Sequence, residues 1–213
     1  NVILLSVQVL RAAQVLRVAN SAAYRRKTDI ESIQLAISML GNRTVVGIVM
    51  GYCMSHVYNK PLEGYDAPRG ALWRHSVASA LAAQLVCQFV KKEIAPELAY
   101  TAGLLHAIGK SVLSEYLKAS VSDLVIHLDQ SVERDFLKAE EAIVGTNHCE
   151  VGLAMAKQWH LPESLCECIA FYHKPAQAAE KYRPLVYVVH VADFIAMMQG
   201  MDTGVDGMSY DMD

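Results

Sequence analysis

Residues 71–92, ALWRHSVASALAAQLVCQFVKK, decide the expected fold, because they are apolar on nearly every face of a helix. A helix that is apolar all round is usually buried. The stretch therefore predicts a buried central helix that ends in the pair Lys91 and Lys92, where positive charge favours the helix dipole. The clearest linker in the chain precedes this helix and contains Pro61, Gly64, Pro68 and Gly70.

Along most of the remaining sequence apolar residues recur at steps of three and four, and no segment is typical of a strand ladder. A first helix is predicted from Val2 to Ala19. A second, capped by Asp29 or Ser32, should end at Gly41, a residue type that favours helix ends. The chain is therefore expected to be all-α. Further helices are predicted over 43–59, 96–108, 111–117, 122–129, 135–144, 150–159, 162–173 and 184–198.

The composition limits the functions that the chain can have. With 213 residues, 53% of them hydrophobic, it can bury a substantial core. Its formal net charge of -3 argues against a general nucleic-acid or anionic-membrane surface. The main local exception is the basic run at 25–27, which we interpret as a solvated loop, with a phosphate or nucleic-acid site as the less favoured alternative. No uncharged stretch reaches the roughly 18 to 20 apolar residues of a membrane span.

The cysteines and the chain ends add two expectations. Five cysteines, an odd number scattered through apolar helices, favour reduced thiols in a cytoplasmic protein over a disulfide framework. The acidic tail over 201–213, which includes Asp202 and Asp206, lacks the spacing of a calcium loop and is expected to be solvated. Because the sequence opens without Met and already inside an apolar helix, it is interpreted as a piece of a longer protein.

A set of residues with metal-ligand side chains stands among apolar helical residues. Each of them alone is more often a hydrogen-bonded polar group of a core. Together they indicate a metal site, since a divalent ion that activates water for phosphoester hydrolysis needs imidazoles and carboxylates from several helices. The set consists of His75, His106, His148, His173 and Asp193.

The order of these residues resembles that of the HD superfamily of metal-dependent phosphohydrolases. More narrowly, VLRVANSAAYRRKTDIESIQLAISMLGNRTV, residues 15–45, is similar to the N-terminal half of the HDOD domain, a regulatory branch of that superfamily in bacterial signalling proteins. The resemblance covers about residues 2–200. It implies a multi-helix HD-like bundle with a packed N-terminal helical subdomain. The segments that carry it are LWRHS with His75, LLHAIGK with His106, TNHCEVG with His148, AFYHK with His173 and HVADFIA with Asp193.

One position departs from the catalytic pattern. In catalytic relatives an Asp follows the His that aligns with His106, whereas this chain has Ala107. A methyl group offers neither a lone pair nor negative charge. Metal binding should therefore be weaker, and the geometry that activates water should be lost. The resemblance leaves a three-ligand remnant of a first metal site, formed by His75, His106 and Asp193, and the positions of a second metal at His148 and His173.

Lys110 has two interpretations. It resembles the lysine near the substrate phosphate in active relatives, but an ordinary surface role after Gly109 is favoured. The histidines and Asp193 also have two interpretations, as metal ligands or as polar residues of the core. Buried imidazoles and carboxylates can hydrogen-bond one another and stabilise a helical core once a metal is lost. No cofactor is therefore expected, with a divalent metal (Mn, Fe, Mg or Zn) at the remnant site as the alternative.

These observations lead to one expected organisation and two expected functions. The chain should contain an N-terminal helical part (1–60), a degenerate HD-like core (61–200) and an acidic tail (201–213). We expect a non-catalytic bacterial signal-transduction module that binds a protein partner or a small ligand, in two-component or cyclic-dinucleotide pathways as the resemblance implies. The alternative is a metal-dependent phosphohydrolase acting on nucleotides or cyclic dinucleotides, which requires another carboxylate, such as Glu150 or Asp193, to replace the missing one.

Overall fold

The computed structural model describes residues 20, 32, 35–41, 58–130 and 135–207. The chain divides into two compact units, Asn1–His56 and Val57–Asp213. The predicted first helix lies outside the described residues, apart from its expected end near Asn20. The basic run at 25–27, Cys53 and nearly all of the predicted helix over 43–59 also lie outside them.

In the first unit the described helix covers 35–41. Ser32 precedes it and accepts two hydrogen bonds, from the Leu35 amide at its Oγ (3.4 Å) and from the Ala36 amide at its carbonyl oxygen (2.9 Å). Gly41 has a φ of +76°, in the left-handed region that ends many helices. Ser32 is thus one of the two predicted caps, and the other, Asp29, lies outside the described residues. The predicted stop at Gly41 is confirmed.

The described part of the second unit is built from eight α-helices, and the prediction of an all-α fold is confirmed. Its extended pairing is limited to one bridge between Leu62 and Ala67. No helix in the described ranges combines the length and apolarity that a membrane span needs. The helices are α1 (Ala71–Val86), α2 (Pro96–Leu105), α3 (Lys110–Leu117), α4 (Val121–Gln130), α5 (Phe136–Val144), α6 (His148–Gln158), α7 (Glu163–Phe171) and α8 (Arg183–Met198).

Helix α1 is the central helix that the sequence predicts, and it packs against α2 and α8. Small side chains such as Ser79, Ala80 and Ala83 are fully buried, which lets the neighbouring helices approach. The prediction of burial on nearly every face is nevertheless wrong. Leu81, Leu85 and Phe89 follow one another at steps of four and are 51%, 61% and 88% exposed. The reason is that the small residues make the close contacts, so the bulky ones are left on the outer side.

The end of α1 and the start of α6 also differ from the prediction. The α-helix ends at Val86 and continues only as a short 3₁₀ turn, so it does not reach the lysine pair. Helix α6 begins at His148, because the Asn147 side chain accepts a hydrogen bond from the Glu150 amide (2.9 Å) and caps the first turn. This cap places His148 at the buried N-terminal end of the helix.

After α8 the chain folds back onto the second unit over residues 201–207. The Val205 amide donates to the Tyr65 carbonyl oxygen (2.8 Å). Thr203 and Asp206 are 2% and 1% exposed. The predicted solvated tail is therefore wrong for this segment, since Asp206 forms an ion pair inside the fold that composition could not indicate. Residues 208–213 lie outside the described part of the chain.

Candidate metal centre

Three of the predicted ligands meet at one point, each from a different helix. His75 lies on α1, His106 directly follows α2, and Asp193 lies on α8. All three side chains are buried. His75 Nε2 is 3.1 Å from His106 Nε2 and 3.0 Å from Asp193 Oδ1, while His106 Nε2 is 3.2 Å from the same oxygen. The three ligand atoms therefore form a nearly equilateral triangle, which we call the triad.

The other ring nitrogen of each histidine contacts a backbone carbonyl. His75 Nδ1 donates to the Met201 oxygen and His106 Nδ1 to the Gly103 oxygen, both at 2.7 Å. Because a carbonyl only accepts, both Nδ1 atoms must carry the proton, and a neutral imidazole then presents an unprotonated Nε2. When both rings are neutral, two nitrogen lone pairs and a carboxylate oxygen thus point at one another.

The electrostatics favour a neutral His106 and an ionised Asp193. Burial lowers the pKa of His106 below its ordinary value, although the neighbouring Asp193 opposes this. Burial alone would raise the pKa of Asp193, but the imidazoles of His106 and His75 close to its carboxylate hold it well below its usual range. The lowered pKa values of His106 and Asp193 favour a lone pair on the imidazole and a charge on the carboxylate, both of which a bound cation stabilises.

The spacing of the triad fits a single divalent ion. Ligand atoms about 2.1 Å from an ion and at right angles to each other lie about 3.0 Å apart, whereas a tetrahedral site separates them by about 3.4 Å. The observed 3.0–3.2 Å is nearer to one face of an octahedron. Two histidines and one carboxylate on one face, with the remaining positions open, are the ligand set of many iron(II) sites.

The carboxylate that catalytic relatives have is not replaced within the described residues. Ala107 is fully buried and contributes only its methyl group. Glu150, one of the two predicted substitutes, is exposed and accepts a hydrogen bond from the Thr146 hydroxyl (2.6 Å). The other, Asp193, is already a member of the triad. Glu150 therefore does not supply the carboxylate that the alternative function, hydrolysis, requires.

His148 and His173 form a second buried group, with their Nε2 atoms 3.2 Å apart. Cys149 Sγ belongs to the same set of potential ligand atoms. Burial raises the pKa of Cys149 well above its ordinary value, with the Glu140 charge adding to the effect, so its sulfur is a protonated thiol. The sequence predicted this cysteine only as a core thiol, since nothing in its local pattern indicated two histidines beside it.

Two residues that the sequence analysis did not single out saturate His148 with hydrogen bonds. Its Nδ1 donates to Glu140 Oε2 (2.7 Å), and its backbone amide donates to the same carboxylate (2.9 Å). Its Nε2 accepts from the Tyr172 hydroxyl (2.7 Å), which burial keeps protonated by raising the pKa of Tyr172 well above its usual value. The contacts of His148 with Glu140 and Tyr172 are therefore hydrogen bonds whose donors belong to this group.

Tyr172 also stands between the two groups. Its ring centroid lies 4.6 Å from that of His106, edge to face, and 3.8 Å from that of His173. The aromatic ring thus takes the space between the triad and the second histidine pair. Its signal in the sequence is slight, since only its position directly before His173 sets it apart from the other tyrosines.

The family to which the chain belongs follows from comparison with known proteins. The HDOD domain model matches residues 4–175. The chain belongs to the HDOD domain family. The resemblance inferred from its motifs is thereby confirmed, together with the HD-like helical fold.

Relatives of this HDOD domain are known from several bacteria. An HDOD domain protein of unknown function from Geobacter sulfurreducens is 27% identical, with a TM-score of 0.74 over 95% of this chain and 65% of the other. A structure from Shewanella amazonensis SB2B, provisionally named a phosphohydrolase, is 25% identical, with a TM-score of 0.70 over 93% and 68% of the two chains. An uncharacterized Treponema pallidum protein is 26% identical over 90% of this chain. The HDOD domain described here spans 36% of that protein.

Lys110 of the HDOD domain is not a surface residue, and the favoured prediction for it is wrong. Its side chain is almost completely buried. The Nζ atom forms an ion pair with Asp206 and donates to Thr203 Oγ1 (2.9 Å). It lies 5.7 Å from the centroid of the Tyr65 ring. The surface prediction failed because the segment that covers Lys110 comes from residues more than ninety positions further along the chain.

The hydroxyl of Tyr172 provides a first test of the second group. We expect Tyr172→Phe to lower the free energy of unfolding by about 1–3 kcal/mol, because it leaves the buried Nε2 of His148 without its donor. Urea unfolding would measure the change. Tyr116→Phe, at a position that is 70% exposed, is the matched control and should change little. Equal stability of both variants would mean that the Tyr172 hydroxyl is not a stabilising donor.

The pH dependence of stability provides a second test. Burial is the largest of the causes that lower the pKa of His173 well below its ordinary value. Below a pH of about 6.5 the unfolded chain therefore takes up a proton that the folded chain does not. Stability should fall on acidification from that pH by about 1.4 kcal/mol per pH unit. The fall should continue until the folded-state pKa of His173 is reached.

Urea unfolding between pH 7 and pH 5, with a chelator present, would measure this slope. His173→Gln removes the titrating ring and should give a shallower slope than the unmodified chain. Parallel slopes for the two proteins would assign the acid sensitivity to other groups.

Proposed function

We propose that this HDOD domain is a non-catalytic signal-transduction module that holds one divalent metal ion at His75, His106 and Asp193. The observation that carries the proposal is the convergence of three potential ligand atoms within 3.2 Å of one another, beside a buried alanine where the resemblance implies a carboxylate in catalytic relatives. The metal supplies positive charge that fixes three helices relative to one another. A bacterial cytoplasmic setting and a protein partner or small ligand, in two-component or cyclic-dinucleotide signalling, belong to the same proposal.

The arrangement around the triad supports a binding role over a hydrolytic one. Two-metal hydrolysis requires ions about 3.5–4 Å apart that share a nucleophile. Ala107 offers no ligand to bridge such a pair. The Nε2 of His148 already accepts a hydrogen bond from the Tyr172 hydroxyl, so a second ion at this group would have to displace a satisfied hydrogen bond.

The alternative function is metal-dependent phosphohydrolysis of nucleotides or cyclic dinucleotides. One observation favours it: a triad on one face of an octahedron leaves open positions, which is the form that catalytic sites take. A phosphodiesterase assay with manganese or iron tests this alternative. Turnover that His106→Ala retains in full would exclude hydrolysis at the triad, whereas turnover lost with the bound metal would overturn the non-catalytic proposal.

Metal content is the direct test of the proposed function. The purified chain, incubated with Mn²⁺, Fe²⁺ or Zn²⁺ and desalted, should retain about one ion per chain by elemental analysis, as one triad predicts. The double variant His75→Ala, Asp193→Ala should retain none. A double variant that keeps its metal would place the ion elsewhere, and an unmodified chain that retains none would refute the proposal.

A further inference from the structure

We infer that residues 201–207 form a strap that positions the metal ligand His75, and that the Lys110–Asp206 ion pair is the catch that holds the strap in place. Docking of the strap and binding of metal at the triad are then coupled. The coupling rests on the proposed function, because it concerns the same three ligands. The contacts of Lys110 with Asp206 and Thr203 include no residue of the triad, so docking of the strap can be measured without metal.

The strap contacts the triad through one backbone group. The Met201 carbonyl oxygen accepts from His75 Nδ1 at 2.7 Å. This bond fixes the tautomer of His75 and turns its Nε2 towards His106 and Asp193. Partners of this kind orient a metal-binding histidine and raise its basicity, and their loss typically weakens metal binding by about 10–100-fold. His106 receives the same support from Gly103, on its own helix, so only His75 depends on the strap.

Asp206, the residue of the strap that forms the catch, lies five positions beyond Met201. Lys110 Nζ pairs with Asp206 and donates to Thr203 Oγ1 (2.9 Å), while the Thr203 hydroxyl contacts both carboxylate oxygens of Asp206 at 2.8–2.9 Å. All three side chains are buried. A buried ion pair is sensitive to the removal of either partner, since the remaining charge is left uncompensated. The ion pair therefore stabilises the docked position of the strap.

A second set of contacts fixes the strap against the residues before α1. The Val205 amide donates to the Tyr65 carbonyl oxygen (2.8 Å). Gly204 has a φ of +112°, and a Cβ at this position would lie 2.0 Å from that same oxygen. Only glycine fits here, so a larger residue would displace the strap without changing any charge. Tyr65 in turn donates its hydroxyl to Glu140 (2.5 Å), the partner of His148.

Because the strap and the ion both act on His75, their effects must be reciprocal. If docking of the strap strengthens metal binding by a given factor, then metal strengthens docking of the strap by the same factor. The coupling thus predicts that metal binding makes the strap more firmly docked. It also predicts that undocking the strap lowers the affinity for metal.

The test uses the full chain with two variants and one control. Asp206→Asn removes the carboxylate of the catch, and Gly204→Ala displaces the strap while both partners of the catch remain. The control is Asp202→Asn, which removes the same charge from an exposed position in the same segment. Circular dichroism first establishes that each protein is folded. If Asp206→Asn does not fold, Gly204→Ala and the charge-free pair Lys110→Met, Asp206→Leu provide the test.

Two measurements follow. Hydrogen exchange without metal should show the Val205 amide exchanging at least about tenfold faster in Asp206→Asn and Gly204→Ala than in the control. Titration with Mn²⁺ can be monitored by the electron paramagnetic resonance signal of the free ion. The Kd for Mn²⁺ should be raised about 10–100-fold in both variants and nearly unchanged in the control. Saturating Mn²⁺ should also slow the exchange of the Val205 amide in the unmodified chain.

The outcomes separate this inference from the proposed function. If the unmodified chain binds Mn²⁺ and the variants bind it equally well despite faster exchange, the coupling is overturned and the metal site stands. If hydrogen exchange at the Val205 amide is unchanged in Asp206→Asn, the claim that the Lys110–Asp206 ion pair holds the strap is overturned. If the unmodified chain binds no Mn²⁺, the metal site fails and the coupling fails with it. Faster exchange together with weaker Mn²⁺ binding in both variants supports the inference.

Discussion

Asp193→Asn should weaken Mn²⁺ binding by more than about 100-fold, a loss larger than those produced by removing the outer partner of a metal ligand. The substitution keeps the shape of the side chain but replaces its charged oxygens with an amide. Asp193 Oδ1 is the atom that both histidines face, at 3.0 and 3.2 Å. Its charge is the only negative charge in the triad. Titration with Mn²⁺ and comparison with Asp202→Asn would measure the loss.

The same substitution should have a different effect on the metal-free chain. An amide can donate hydrogen to the lone pairs of His75 and His106, which lack protons in their neutral forms. Without metal, Asp193→Asn should therefore be more stable towards urea than Asp193→Ala, by about 1–3 kcal/mol for a buried polar group that keeps its partner. Retention of Mn²⁺ binding within about threefold, or equal stability of the two variants, would contradict the assignment of lone pairs in the triad.

The sequence predicted the helices of the second unit with good accuracy, and it named the three residues whose side chains converge in the triad. Helices are visible because their periodicity is local, and the predicted boundaries of α3, α4, α5 and α8 lie within a few residues of the observed ones. His75, His106 and Asp193 could be named because each sits in a motif that resembles a known family. In both cases the information lies within a few adjacent residues.

The partners of these residues could not be named, because they depend on contacts between distant parts of the chain. Lys110 and Asp206 are 96 positions apart, and each alone is typical of a surface residue. Glu140 is buried against His148 whereas Glu141 beside it is exposed, yet the two are indistinguishable in an apolar helical pattern. Whether a histidine holds a proton or a lone pair is set by such partners, so the sequence left the metal an open alternative.

Gly109→Ala should destabilise the chain by about 4 kcal/mol or more, because the added methyl group collides with backbone. A Cβ on Gly109 would lie 1.9 Å from the His148 carbonyl oxygen and 2.6 Å from the Gly152 amide nitrogen. Neither atom can move unless helix α6 moves away from the start of α3. Such a shift would displace His148 from Glu140 and Tyr172, so the loss of packing and the loss of buried hydrogen bonds occur together.

The matched control for this collision lies directly opposite. A Cβ on Gly152 would meet the Ile169 methyl group at 2.7 Å, but the Gly109 backbone only at 3.3 Å. A side chain can adjust its rotamer, so Gly152→Ala should cost about 1–3 kcal/mol, the usual effect of overpacking. Urea unfolding of both variants would give the ranking. If Gly109→Ala were no less stable than Gly152→Ala, α3 and α6 would have to separate more easily than their backbone contact implies, and His148 would not be rigidly held.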